Sequence, residues 1–333
     1  MSEVEISQWA PDVHLVSVPI PSPLRQVNCY LVQGRGGWTI IDTGFNVPQT
    51  MATWEAAFRQ LNIRPQDVER IVVTHHHPDH CGAAGPLQQW TGAPVLMHEI
   101  EARMADLVWQ LDTLLEQLEG FYRAHGAPPH VLAAMGPAAV ELLGQVGSKP
   151  EVILVATGDE VPLGDRLCRA MPFPGHSAGL MLLWDEKDGL LFASDMILEP
   201  ITPNISLDPF TGGDPLADYL ASLARLAQIP ARLTLTGHRR PIEDLPRRCR
   251  ELEQHHHQRL AECLTITGDR AGAGSTGEVQ AWQVALDLFG SVMDDPENGL
   301  FALGEAAAHL KHLALQGRLV QREDEAGVFF RPA

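Results

Sequence analysis

The stretch Ile71-Val72-Val73-Thr74-His75-His76-His77-Pro78-Asp79-His80 decides the reading of this chain. Its first four residues are apolar or β-branched and make a short buried strand, which runs straight into four histidines and an aspartate. Imidazole nitrogen and carboxylate oxygen suit Zn²⁺, and also Fe or Mn. His75 and His77 are two residues apart, a spacing that a helix sends to different faces but a loop leaving a strand can bring to one point. A histidine-rich surface turn would account for one or two of these residues. Three histidines and an acid in HxHxDH spacing after a buried strand point instead to a metal site. His76, between two donors, is expected to face away. Pro78 stiffens the loop, and Cys81 reads as a small buried residue.

Outward from this stretch, strands and helices alternate, which argues an α/β fold. Upstream, Val13–Val18, Val27–Val32 and Trp38–Ile41 read as strands, the last two joined through Gly34-Arg35-Gly36-Gly37. Met51, Trp54, Phe58 and Leu61 mark an amphipathic helix. Downstream, Ile100, Met104, Leu107, Leu111, Leu114, Leu118 and Phe121 predict one long amphipathic helix. It opens a helical insertion over about 99–147 whose Met104, Trp109, Phe121, Tyr122 and Met135 could lid an apolar pocket. His98 has no assigned role, and His130, within the insertion, is a candidate pocket residue. Strands return from Val152. Helices are expected near 215–227 and 244–266, the second carrying His255-His256-His257. Adjacent helix positions do not converge, so these three are read as structural or solvent-facing. Ala271-Gly272-Ala273-Gly274-Ser275 reads as a flexible domain boundary. Beyond it, a helix capped by Thr276, a second helix and a two-stranded hairpin follow the winged-helix order.

The HxHxDH pattern resembles that of the metallo-β-lactamase fold superfamily of metallohydrolases. Asp42 in Ile40-Ile41-Asp42-Thr43-Gly44 resembles the first family motif, His176 in Phe173-Pro174-Gly175-His176-Ser177 the third, Asp195 in Phe192-Ala193-Ser194-Asp195 the fourth, and His238 in Thr236-Gly237-His238 the fifth. The resemblance spans roughly residues 12–265. It implies an αββα sandwich over residues 1–268 and a winged-helix-like domain over 276–333, as in the glyoxalase II-like and endoribonuclease-like group. It also implies two divalent metal ions, Zn²⁺ first, with His75, His77 and His176 on one, Asp79, His80 and His238 on the other, and Asp195 bridging. A metal-bridging hydroxide would be the nucleophile, Asp79 would pass a proton to the leaving group, and Asp42 would orient a ligand histidine. One departure is Ser177-Ala178-Gly179-Leu180, where relatives often read Ser/Thr-Pro-Gly-His; the missing histidine is not a ligand.

Charge narrows the substrate. With 24 basic and 42 acidic side chains the chain carries a net charge of −18, which disfavours broad binding to a phosphate backbone. From Thr276 onward four basic face nine acidic residues, a net of −5, so the C-terminal module is a poor phosphate reader, expected to pack beside the site or to form a homodimer. Arg239 and Arg240, after His238, could serve an anionic group. The expected substrate is a small thioester, lactone or phosphodiester with an apolar part. A mononuclear iron oxidoreductase resembling sulfur dioxygenases is the alternative, followed by an endoribonuclease. No run of 18 apolar residues and no signal peptide is evident. Five scattered cysteines without a CxxC pair fit a reducing cytoplasm.

Overall fold

The computed structural model describes residues 4–21, 24–210, 212–274 and 277–333. Along the first sheet the order is β1 (Ile6–Ala10), β2 (Val13–Pro19), β3 (Gln26–Gln33), β4 (Trp38–Ile41), α1 (Pro48–Leu61), β5 (Val68–Val73), α2 (Pro78–Cys81), α3 (Ala84–Thr91) and β6 (Val95–His98). The insertion α4 (Glu99–Val108), α5 (Leu111–Ala124) and α6 (Pro129–Leu143) follows, then β7 (Val152–Val155). These seven strands lie side by side in chain order, antiparallel from β1 to β4 and parallel from β4 to β7. The second sheet holds β8 (Glu160–Leu163), β9 (Arg166–Pro172), β10 (Met181–Asp185), β11 (Leu190–Ser194) and, parallel to β11 across α7 (Pro215–Leu226), β12 (Leu233–Thr236).

Period-two alternation explains the layering. Val13, Leu15, Tyr30 and Val32 point to a core shared with Met181, Leu183, Phe192 and Leu235 of the other sheet. Val16, Val18, Cys29 and Leu31 point the opposite way, onto Trp54 and Phe58 of α1 and Leu87 of α3. Leu180, Leu182 and Trp184 likewise turn outward, onto Tyr219 and Leu223 of α7. Strands apolar on both faces need a helix layer on each side, and the result is the expected αββα sandwich.

The structure corrects several boundaries. The single helix expected from Ile100 to Phe121 is two, broken at Trp109 and Gln110, because the Trp109 indole is tied to the body through Gly147 O at 2.9 Å. Helix α8 (Leu245–Ala273) does not stop near 266: Ala271, Gly272 and Ala273, expected as a flexible boundary, are its last turn. Thr267 and Ala271 bury its inner face and Arg270 pairs with Asp287 at 2.5 Å, which holds that turn in place. Thr276 lies outside the described residues. The next helix, α9 (Ala281–Phe289), is capped by Gln280 and Gln283. It is followed by α10 (Pro296–Leu315) and the hairpin β13 (Leu319–Asp324) and β14 (Gly327–Pro332), whose Phe330 also pairs with Val279. β1, β8 and α3 escape the sequence reading, being short and weakly patterned. Among the described residues no helix is long and apolar enough to cross a membrane. All five cysteines are free and buried.

Candidate metal centre

Every motif residue sits just past the carboxyl end of a strand, and the strands bring those ends together: β4 leads to Asp42, β5 to His75–His80, β9 to His176, β11 to Asp195 and β12 to His238. Two of these exits are strained. Asp42 and Ser194 hold φ of 57° and 46°, left-handed backbone that a residue with a Cβ rarely adopts. Asp42 is fixed there because its Oδ1 accepts from Thr74 N at 2.8 Å and its Oδ2 from Thr74 Oγ1 at 2.9 Å, and Ser194 Oγ lies 2.8 Å from Thr74 Oγ1. Gly237 is required by close approach, since a Cβ there would run into Asp195 Oδ1 and come within 2.9 Å of His80 Cε1.

Hydrogen bonds set which nitrogen each histidine offers. His75 Nδ1 donates to Thr74 Oγ1 at 3.0 Å, His80 Nδ1 to Asp42 Oδ2 at 2.9 Å, His176 Nδ1 to Asn204 O at 2.9 Å and His238 Nδ1 to Gln26 O at 2.9 Å. Each of these rings therefore turns its Nε2 toward the centre, the arrangement that second partners impose on metal-binding histidines. His77 differs: its Nδ1 faces His75 Nε2 at 3.1 Å. Asp195 Oδ2 lies 3.5 Å, 3.7 Å and 3.3 Å from Nε2 of His80, His176 and His238. Asp79 Oδ2 is 3.6 Å from His80 Nε2 and 3.1 Å from His238 Nε2.

Three groupings have the geometry to hold a metal ion: His75, His77 and His176; His75, His80 and Asp195; and Asp79, His80 and His238. The donors fit such an ion. Nε2 of His176 and Oδ1 of Asp195 are buried without a hydrogen bond among the described residues, a cost of roughly 1–3 kcal/mol each that a divalent cation would remove, and Nε2 of His80 and His238 face the carboxylates of Asp79 and Asp195. Electrostatics divide the centre in two. Burial, reinforced by neighbouring rings, holds His75, His77 and His176 below the ordinary imidazole range. His80 and His238 are also buried, but the carboxylates of Asp79 and Asp195, joined at His80 by Asp42, outweigh burial and push both up, His238 to about 10. Burial would raise Asp79 and Asp195, and the same two histidines pull them below the carboxylate range.

One buried acid of this centre was not legible in the motifs. Glu101, on α4, is fully buried and accepts from His76 N at 2.9 Å, Ser177 Oγ at 2.8 Å and Gly179 N at 2.6 Å, with His76 Nδ1 at 2.7 Å. It joins the loop of His75–His80 to the loop after His176. Its signal was a charge on the inward face shared with Ala105 and Val108. Asn204 was missed for lack of a pattern: its carbonyl orients His176, while its side chain reaches Phe301 O at 3.3 Å and Glu305 Oε2 at 3.4 Å on α10. Burial pushes the Glu305 carboxyl up to about 7.

The remaining histidines and cysteine are elsewhere. His76 turns onto Glu101, and the Cys81 thiol donates to His76 O at 3.0 Å. His98 accepts from Ile100 N at the start of α4. His130 is exposed and does not line the pocket. On α8, His256 is buried against His309, Nδ1 to Nε2 at 3.3 Å, while His257 is exposed. Arg239 and Arg240 are exposed, and Arg240 pairs with Glu199 at 3.3 Å.

His77, Asp79, His176, Asp195 and His238 form part of the wall of a cavity of about 550 Å³. Of the expected lid residues, Met104 and Tyr122 line it. Trp109 and Phe121 do not: Trp109 is held by Gly147, and Phe121 packs on His125 with ring centroids 4.1 Å apart. Met135 lies outside the described side chains.

Comparison with known proteins agrees with this geometry. The Metallo-beta-lactamase superfamily matches residues 22–238, and the Metallo-beta-lactamase-like C-terminal domain matches residues 272–332. The probable metallo-hydrolase YqjP of Bacillus subtilis is 25% identical over 96% of this chain and 98% of its own. Human acyl-coenzyme A thioesterase MBLAC2 is 26% identical over 62% of this chain and 70% of its own. A metallo-beta-lactamase family protein of Thermus thermophilus superposes with a TM-score of 0.79 at 30% identity, covering 98% of this chain and 100% of that one. A beta-lactamase domain protein of Burkholderia ambifaria gives 0.86 at 28% identity, covering 99% and 94%. The chain belongs to the metallo-beta-lactamase superfamily and is a metallohydrolase.

Proposed function

We propose that this chain is a dinuclear hydrolase of ester-like bonds, with an apolar acyl group held beside the metals. One observation carries the reading: seven buried or half-buried imidazole and carboxylate donors, with the Nε2 atoms of four histidines turned toward one centre, open into a largely apolar cavity. His75, His77 and His176 would hold one ion, Asp79, His80 and His238 the other, and Asp195, within 3.7 Å of three Nε2 atoms, would bridge. Two such ions supply Lewis acidity to a water and to the scissile carbonyl. Asp79 lines the cavity, so it can carry the water's proton to the leaving group. Asp42 holds the His80 ring by Nδ1 and keeps Nε2 directed inward. The similarity to an acyl-coenzyme A thioesterase favours the thioester among the ester-like bonds.

Elemental analysis of untagged protein, paired with a panel of thioesters, lactones and phosphodiesters, tests the reading. About two zinc or manganese per chain with thioester or ester turnover is the expected result. One iron per chain, with oxygen consumed on persulfides and no ester cleavage, would overturn it in favour of the oxidative alternative.

A further inference from the structure

The cavity has two properties that metal binding does not require. Its walls come partly from outside the sandwich: Leu114 and Leu118 of α5 on the insertion, and Leu300 and Phe301 of α10 on the C-terminal module. Furthermore, no lysine or arginine is among the described residues that line it, whereas Asp208 and Asp218 join the metal-centre acids there. A carboxylate or phosphate drawn between the α5 and α10 walls would lose hydration and meet no lysine or arginine among the described lining residues. An alkyl chain would only gain, by leaving water. Helix α10 is also held in register with the centre. Gly304 packs so closely that a Cβ would stand 2.7 Å from Ser206 Oγ, and the same loop carries Asn204, whose carbonyl orients His176.

We propose that the space between α5 and α10 is the subsite for the uncharged acyl half of the substrate, a linear apolar chain, and that an anionic leaving group stays outside the cavity. The C-terminal module is then a specificity wall. This inference rests on the hydrolase reading above.

The test uses the metal-loaded full chain with nitrophenyl esters running from acetyl to dodecanoyl. We expect kcat/KM to climb by up to about fourfold per buried methylene, and the adipoyl monoester, with its far carboxylate, to fall at least about tenfold below the hexanoyl ester. Leu118→Trp and Phe301→Trp, from opposite walls, should each move the optimum to shorter chains. Calorimetric binding of alkan-2-ones, which cannot be hydrolysed, should rise with chain length in parallel. Flat profiles in both readouts, or an adipoyl ester as good as the hexanoyl one, would overturn the acyl subsite while leaving the hydrolase reading intact. No turnover across the whole series, with ketone binding still rising, would instead overturn the hydrolase reading and with it the substrate assigned here.

Discussion

The chain holds two runs of three histidines, and their fates differ. His75-His76-His77 leaves a strand, so its first and third rings converge, 3.1 Å apart at their nearest nitrogens. His255-His256-His257 lies within α8, so its rings fan out: His256 goes into the core against His309, and His257 goes to solvent. Composition is the same in both. What differs is the backbone period and what stands opposite. At the first run the facing groups are Asp195 and His176; at the second they are one histidine and Tyr219. Among the described residues, only the first run contributes to a grouping able to hold a metal. A histidine cluster is therefore informative only together with the element that carries it.

The largest expected contrast is at the ligands. His77→Ala and Asp195→Ala should each remove bound metal and turnover below detection while leaving the circular dichroism spectrum unchanged. His256→Ala should leave metal content and kcat near wild type. Metal lost from His256→Ala, or retained in full by His77→Ala, would erase the distinction between the two runs.

One step out from the ligands the effect should shrink but persist. Asp42→Asn keeps the shape of the side chain but weakens the acceptor for His80 Nδ1, and partners of this kind typically change metal affinity by about 10–100-fold. Glu101→Gln should fall in the same range by loosening two ligand loops at once. Competition with a chromophoric chelator measures both. Affinities within twofold of wild type would limit Glu101 to packing.

The halves of the centre should also separate by pH. In metal-stripped protein, His238 is raised to about 10 from an ordinary 6.5, so its contribution is complete below pH 6.5 and drains away as pH rises through 10. Asp79 and Asp195 are held low, so theirs is present above the ordinary 3.8 and is lost only as pH falls through their lower folded values. Stripped protein should thus lose on the order of a few kcal/mol of stability between about pH 7 and pH 10. Loaded protein should not, because a metal takes the place of the protons on His80 and His238. Urea titrations with and without chelator at the two pH values decide it. Equal losses in both states would show that the carboxylates do not hold these rings protonated.

How far the sequence could be read follows the same logic. The sandwich was legible because period-two apolar strands and strand-end motifs are local signals, and His75, His77, Asp79, His80, His176, Asp195 and His238 do fall together in space. Glu101 and Asn204 were not legible, because each acts across the fold, on partners 25, 76 and 28 residues away. The helix break at Trp109 and the extension of α8 to Ala273 were hidden for a related reason. Both depend on tertiary contacts, one to Gly147 and the other to α9, which override the local pattern.

The smallest effect sharpens the comparison inside the second run itself. His256→Leu removes one partner of a buried pair and leaves His309 Nε2 without a donor, which should cost about 1–3 kcal/mol. His257→Leu changes an exposed position and should stay within about 0.5 kcal/mol. Both should bind metal like wild type. The difference between neighbouring residues of one helix, read from urea midpoints with unchanged slopes, isolates the direction of the ring from the identity of the residue. If the two variants lost the same stability, burial of His256 against His309 would not explain this run, and the helix-versus-loop distinction would rest on the first run alone.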